Sequence, residues 1–159
     1  MGTAALGCPT LCVARALLPV NPVYVDAVLN SLQSMLKFRQ LPGLYAIVQL
    51  ASDAPVPSWA TKCDFTSVTR TADELSIVCP ADNLPADAHA SRPWICLKLE
   101  GPFLFSQTGV LLSFIAPLSN SGIPIFAIST YDTDYVLVQE EFAGVTVQAL
   151  NKAGHELIA

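Results

Sequence analysis

Charge is scarce in this chain. Of its 159 residues only 13% are charged, and 8 basic side chains stand against 13 acidic ones. An ordinary domain carries about twice that share. A net charge of −5 with no Lys/Arg stripe repels phosphate and excludes a general nucleic-acid binder. Disorder is excluded by the opposite property, a hydrophobic content of 52%. Histidine is scarcer still. His89 lies in a Pro/Ala-rich connector and His155 before the last predicted strand, and no HxxxH, GxSxG, phosphate-loop or dinucleotide fingerprint occurs. Catalysis is not expected. The five cysteines (8, 12, 63, 79 and 96) lack CxxC spacing and are odd in number, which fits neither a zinc site nor a disulfide framework. They read as reduced, largely buried thiols, so neither metal nor cofactor is expected.

Long apolar runs are also missing. A spanning helix needs about 20 apolar residues, yet Val110–Leu118 is interrupted by Ser113 and Pro117, and Leu11–Val20 carries Arg15 and Pro19. No basic residue precedes Arg15, so a signal peptide is not expected either. The expectation is a cytoplasmic protein that engages neither membrane nor nucleic acid. Its apolar surplus then sits in a core or between copies.

What is present is a run of short elements. Apolar positions 25, 28, 29, 32, 35 and 36 predict one helix over Tyr24–Phe38, ended at Leu41-Pro42-Gly43. Leu44–Leu50 reads as a strand. Phe65–Thr71 and Leu75–Cys79 read as a hairpin about Ala72-Asp73-Glu74. In the second half Trp94–Glu100 predicts a strand. A helix over Thr108–Ser121 follows, capped by Gly122 and kinked at Pro117. Ile123–Thr130 and Tyr135–Val138 predict strands around Tyr131-Asp132-Thr133-Asp134. Glu140-Glu141 open a second helix with Phe142, Val145, Ala149, Leu150 and Ala153 inward. His155–Ile158 predicts a last strand. The order β-α-β-β-α-β is that of a ferredoxin-like α+β fold.

The first half repeats the second in reduced form. Val68–Val78 lies on Ile128–Val138 at an offset of 60, with Glu74 on Asp134, and Tyr45–Leu50 lies on Trp94–Leu99 at an offset of 49. The difference is about three helical turns, so the first copy lacks most of its first helix.

These residues resemble a known family. Phe65–Pro80, Glu100-Gly101-Pro102, Thr108–Leu111, Ala116-Pro117-Leu118 and Ile125–Val138 are similar to bacterial tandem ACT-domain proteins akin to the CASTOR-type arginine sensors. The likeness covers 35–159. The implied organisation is an N-terminal extension over 1–41, a truncated ACT-like unit over 42–91 and a complete ACT domain over 92–159. Met35 offers a second possible start of translation. The resemblance implies a small-molecule sensor whose partner is an amino acid or related metabolite, bound where ACT units pair. The arginine sensors carry twice as many units per chain, so it also implies a homodimer. It places the ligand loop at Gly101 and Ser106 to Val110, including Gln107, Thr108 and Gly109. It places a strand past the ligand at Ile128, Ser129 and Thr130, and an acidic anchor at Asp134 beside Asp132. The acidic residues flanking the loop glycine in the arginine sensors are missing here, so arginine is not the implied ligand.

Elementary chemistry gives each position two readings. Gly109 in a helix's first turn brings backbone N–H groups near an anion. Thr108 or Ser106 adds a hydroxyl to that anion or simply caps the helix. Asp132 and Asp134 anchor a cationic group or serve only the turn. The segment between Lys98 and Lys152 holds five carboxylates and no base, which suits a cationic or zwitterionic ligand or a solvated face. The rival function is a ligand-free pairing module.

Overall fold

The computed structural model describes residues 35–86, 88 and 92–159. Ten regular elements follow one another: β1 (Lys37–Gln40), β2 (Tyr45–Leu50), β3 (Ser67–Arg70), β4 (Leu75–Pro80), β5 (Trp94–Leu99), α1 (Val110–Asn120), β6 (Ile125–Ser129), β7 (Asp134–Gln139), α2 (Ala143–Lys152) and β8 (Glu156–Leu157). All eight strands join one sheet. From β5 to β8 the order is the expected β-α-β-β-α-β.

The predicted helix over Tyr24–Phe38 lies outside the described residues, apart from its last four positions. Those are not helical. Leu36 and Phe38 are buried while Lys37 is exposed, an alternation of period 2 that makes a strand. β1 runs antiparallel to β5 (Phe38 opposite Leu99) and parallel to β8 (Phe38 opposite Leu157). The sheet of the second half therefore contains a strand from the chain's first half, between its own first and last strands.

The repeat is visible in the hydrogen bonds, with one correction. Tyr45 in β2 pairs with Pro80, and Trp94 in β5 pairs with Gln139. Arg70 faces Leu75 across one hairpin and Ser129 faces Asp134 across the other. Thr71 N–H donates to Glu74 O (2.9 Å) as Thr130 N–H does to Thr133 O (2.8 Å). Likewise, Ala81 N–H donates to Leu44 O and Glu140 N–H to Pro93 O. The first strands keep the offset of 49, but the hairpins superpose at 59 rather than 60. In the sheet Glu74 corresponds to Thr133, and Leu75 to Asp134. Tyr45 and Trp94, which are repeat equivalents, pair with each other, so they lie on the axis relating the halves.

One sheet face carries the helices. Phe38, Ile95, Leu97, Leu99, Val136 and Val138 meet Phe114 and Leu118 of α1 and Leu150 of α2. Phe38 meets Phe114 edge-on at 5.2 Å. Each such fully buried side chain is worth about 1.5–3 kcal/mol. In the first half the same face (Val48, Leu75, Ile77, Cys79) is covered by a single 3-10 turn, Ser58–Ala60, with Trp59 and Leu84. On the opposite face Tyr45, Val78, Trp94, Cys96 and Leu137 form a second cluster.

The helices differ from expectation in detail. α1 starts at Val110, with Gly109 as its N-cap. Gly122 takes φ +68, and Ile123 N–H bonds Leu118 O, which is the glycine-terminated closure predicted. Pro117 lies inside the helix, and the Ser113 carbonyl it leaves unserved is met by His155. Glu140–Phe142 form a 3-10 turn and α2 proper begins at Ala143. Its buried line is Thr146 and Leu150. Val145 is 50% exposed and Ala153 is also outside, because the buried stripe follows the i, i+4 row through a threonine that a hydrophobic count passes over.

Candidate functional site

Two loops of the second half are laced together at one end of the sheet. β5 runs out at Leu99 because Gly101-Pro102 ends the extended run, and the chain reaches α1 through residues 102–109. The β6–β7 hairpin turns at 130–133. Thr133, buried, donates its hydroxyl to Leu99 O (2.7 Å). Phe103 N–H donates to Asp132 O (2.9 Å), and the Thr130 hydroxyl donates to Thr133 O (2.8 Å). The loops approach so closely at Gly101 that an added Cβ would lie 2.5 Å from Asp132 O. Only glycine fits there. β1 contributes as well: Arg39 holds the Glu100 carboxylate through two hydrogen bonds (2.5 and 2.8 Å), which lowers that carboxyl below its ordinary range.

Between the loops lies a pocket of about 300 Å³. Of the expected site residues it brings together Gln107, Gly109, Val110, Ser129, Thr130, Asp132 and Asp134. The Ser129 hydroxyl donates to the Asp134 carboxylate at 2.5 Å, which fixes that carboxylate's direction. Gly101 lies behind this space, in an adjoining pocket of about 280 Å³ with Lys98, Glu100 and Asp132. Ser106, Thr108 and Ile128 do not line the pocket. The capping role open to Ser106 and Thr108 is not realised, since Gly109 at φ +79 is the N-cap and no side chain accepts from the first-turn N–H groups. The leading N–H groups of α1 thus have no side-chain acceptor. Gly109, Val110 and Leu111 stand at the wall. No Lys, Arg or His lines this pocket.

Sequence reasoning missed the apolar rim. Phe103, Leu104, Phe105 and Tyr131 also line the pocket. Phe105 and Tyr131 are 80% and 78% exposed and meet edge-on at 5.1 Å. Two large exposed aromatics on adjoining loops were the available signal, since single-residue exposure in a loop leaves no periodic trace.

In the first half the corresponding space is occupied. The Arg70 guanidinium reaches back to the carbonyls of Ser52 and Ala54 (2.7 Å to the latter), the repeat counterparts of Gly101 and Phe103. The counterpart of Asp134 is Leu75, fully buried. An acid is thus replaced by a core side chain.

The two buried thiols are held in their neutral form. Burial pushes the Cys79 and Cys96 thiols up to about 11 and about 12, so they stay protonated; Cys8, Cys12 and His89 lie outside the described residues. Among the described residues no three His, Cys, Asp or Glu side chains are grouped to hold a metal. Nor is any described helix long and apolar enough to cross a membrane.

Comparison with known proteins agrees with this architecture. A model of the ACT domain family matches residues 89–152, and a model of an N-terminal domain matches 43–87. The solved structure of Atu0741 from Agobacterium tumefaciens is similar, with a TM-score of 0.74 at 44% identity over 79% of this chain and 93% of that one. In sequence the chain is 35% identical to human CASTOR3P over 91 residues, 49% of this chain and 56% of that protein. It is 27% identical to the cytosolic arginine sensor for mTORC1 subunit 1 of Bos taurus over 101 residues, 57% of this chain and 31% of that protein. The chain spans about half the length of the first relative and a third of the second.

Proposed function

Because the chain belongs to the ACT-domain family, as a tandem protein related to the cytosolic arginine sensors, we propose that it is a cytoplasmic regulatory sensor of an amino acid or similar small zwitterion. One observation carries this reading. The same pocket holds Asp132, Asp134 and the uncapped first turn of α1, with no basic side chain in its lining. A carboxylate suits the free N–H groups and positive end of a helix, while an ammonium suits the carboxylate that Ser129 orients. An amino acid carries both groups at a fixed short spacing.

In this reading residues 42–91 are a truncated unit without its own ligand, 92–159 the liganded ACT domain, and 1–41 an extension whose last strand, β1, completes the domain's sheet. Gly101, Ser106 and Thr108 shape the loop from behind, as Ile128 shapes the strand. The protein acts by binding and not by catalysis. Binding favours one arrangement of paired units over another, to the extent that the ligand prefers it. The exposed apolar rim of Leu104, Phe105 and Tyr131 supports pairing with a second copy beside the pocket, because such surface is costly to leave in water.

A thermal-shift screen with the common amino acids tests the proposal. A ligand at one hundred times its Kd stabilises by about 2.7 kcal/mol, a rise in Tm of about 8 °C for a chain of this length. One or a few amino acids should give it, and Asp134→Ala and Gly109→Val should abolish it without unfolding the protein. No response to any amino acid, alongside a tight dimer by sedimentation, would identify a ligand-free pairing module instead.

A further inference from the structure

The larger cavity is elsewhere. On the sheet face away from the helices, where the chain breaks between β1 and β2, lies a pocket of about 600 Å³. That is within the usual size of small-molecule sites. Its walls include Leu41, Tyr45, Phe65 and Tyr135. Phe65 stacks on Tyr135 (4.4 Å, 28°) and meets Tyr45 edge-on (5.7 Å), so the aromatic wall is already ordered. Lys62 and Lys98 line the same cavity. Lys98 lies directly across the β5–β7 ladder from Tyr135.

Two lysines and two tyrosines here are donors with no hydrogen-bonded acceptor, whereas Asn83 donates to the Trp59 and Lys62 carbonyls. Among the described residues, neither lysine ammonium has a carboxylate within 4.0 Å, although Lys98 acts on the Glu100 carboxylate from further off, and neither tyrosine hydroxyl has a hydrogen-bond partner. Burial pushes the Tyr45 phenol up to about 12, so it stays a donor near neutral pH. Against two ammoniums and two phenols the pocket sets one carboxylate, Asp64. Its charge balance is opposite to that of the pocket at Asp132 and Asp134. Donors that face open space in the free protein gain most from a ligand that brings several oxygens of negative charge, and the flat aromatic wall favours a planar body behind them.

We infer that this cavity is a second ligand site, for a small aromatic carboxylate whose charged end lies between Lys62 and Lys98 and whose ring packs on Phe65 and Tyr135. The site shares no lining residue with the pocket at Asp134. Two links join them: β7, where Tyr135 adjoins Asp134, and Lys98, which also lines the space behind Gly101.

An amide-resolved NMR titration of the full chain with benzoate tests this, with benzylamine and inorganic phosphate as comparison probes. Benzoate should give saturable shifts at Phe65, Lys98 and Tyr135. Lys62→Gln with Lys98→Gln should weaken it by about tenfold or more while Tm and circular dichroism stay unchanged. Asp134→Ala should leave benzoate binding intact, so failure of the amino-acid reading does not touch this one. Phe65→Leu should also weaken benzoate. The inference is overturned if benzoate gives no saturable shift, if benzylamine or phosphate binds as well as benzoate, or if a folded double-lysine variant binds it undiminished.

Discussion

His155 Nε2 lies 3.1 Å from the carbonyl oxygen of Ser113, the carbonyl that loses its helical partner because Pro117 has no N–H. The other ring nitrogen, Nδ1, accepts from the Leu36 amide at 3.3 Å. That assigns the tautomer: Nδ1 is bare and Nε2 carries the proton it donates to Ser113. One neutral imidazole thus repairs α1, holds the start of β1 and anchors the segment leading into β8.

Removing the ring leaves a buried donor and a buried acceptor unpaired. His155→Phe should cost about 2–4 kcal/mol in urea denaturation. In a Pro117→Ala background, where a backbone N–H can serve Ser113, the same change should cost clearly less. A double-mutant cycle with no coupling between the two positions would sink this account.

The same ring makes stability depend on pH. Burial lowers the His155 pKa below its ordinary value of 6.5, so the folded state disfavours the proton that the unfolded chain readily takes. The stabilisation is complete above about pH 6.5 and is lost as the pH falls through the lower folded value. Denaturation midpoints measured from pH 8 to 5 should decline below 6.5 in the native protein, with that part of the decline missing in His155→Phe.

Thr146 is fully buried, and its hydroxyl has no hydrogen-bond partner. Thr146→Val keeps the shape and removes the unsatisfied group, so it should stabilise by about 1 kcal/mol. An unchanged or lower urea midpoint would contradict the packing described for α2.

Gly101→Ala places a methyl group against backbone, not against a side chain that can swing aside. It should cost about 2–3 kcal/mol and should also remove any amino-acid response, because the same contact fixes the Asp132 turn. A variant of native stability would show that the two loops separate freely.

Arg70 predicts a local effect. Its exposed guanidinium ties down the loop after β2 through two carbonyls, so Arg70→Ala should shift global stability by less than about 1 kcal/mol. Hydrogen exchange should nonetheless quicken over residues 51–66. Unchanged exchange there would remove its assigned role.

How much of this was legible beforehand depends on whether the signal was local. The strand and helix order of the second half follows from periodicity, and the termination at Gly122 from one residue type. The loops that line the candidate pocket were expected from the resemblance to tandem ACT-domain proteins, while their glycine, hydroxyl and acidic residues by themselves left capping and turn readings open. β1 was not, since the apolar spacing from Val25 to Leu36 runs helically into it, and its slot beside β5 is decided by residues far along the chain. The offset of 60 matches side-chain types along the run, Glu74 with Asp134 among them, whereas the backbone ladders correspond at 59. Pro117 announced a missing donor, but nothing near it in sequence named His155 as the replacement.

The position of β1 also sets the order in which this protein can be born. Leu36 and His155 lie 119 positions apart, and β8, far along the chain, pairs with β1. Until β8 and His155 clear the ribosome, the outer edge of β1 has no neighbour and the Ser113 carbonyl has no imidazole. The second half is then not a module that folds as it emerges. It waits, with an open strand edge of the kind that invites mispairing, and it closes in one long-range step whose cost in chain entropy makes it slow. A nascent chain stalled before β8 accordingly keeps that open edge and the hazard that goes with it.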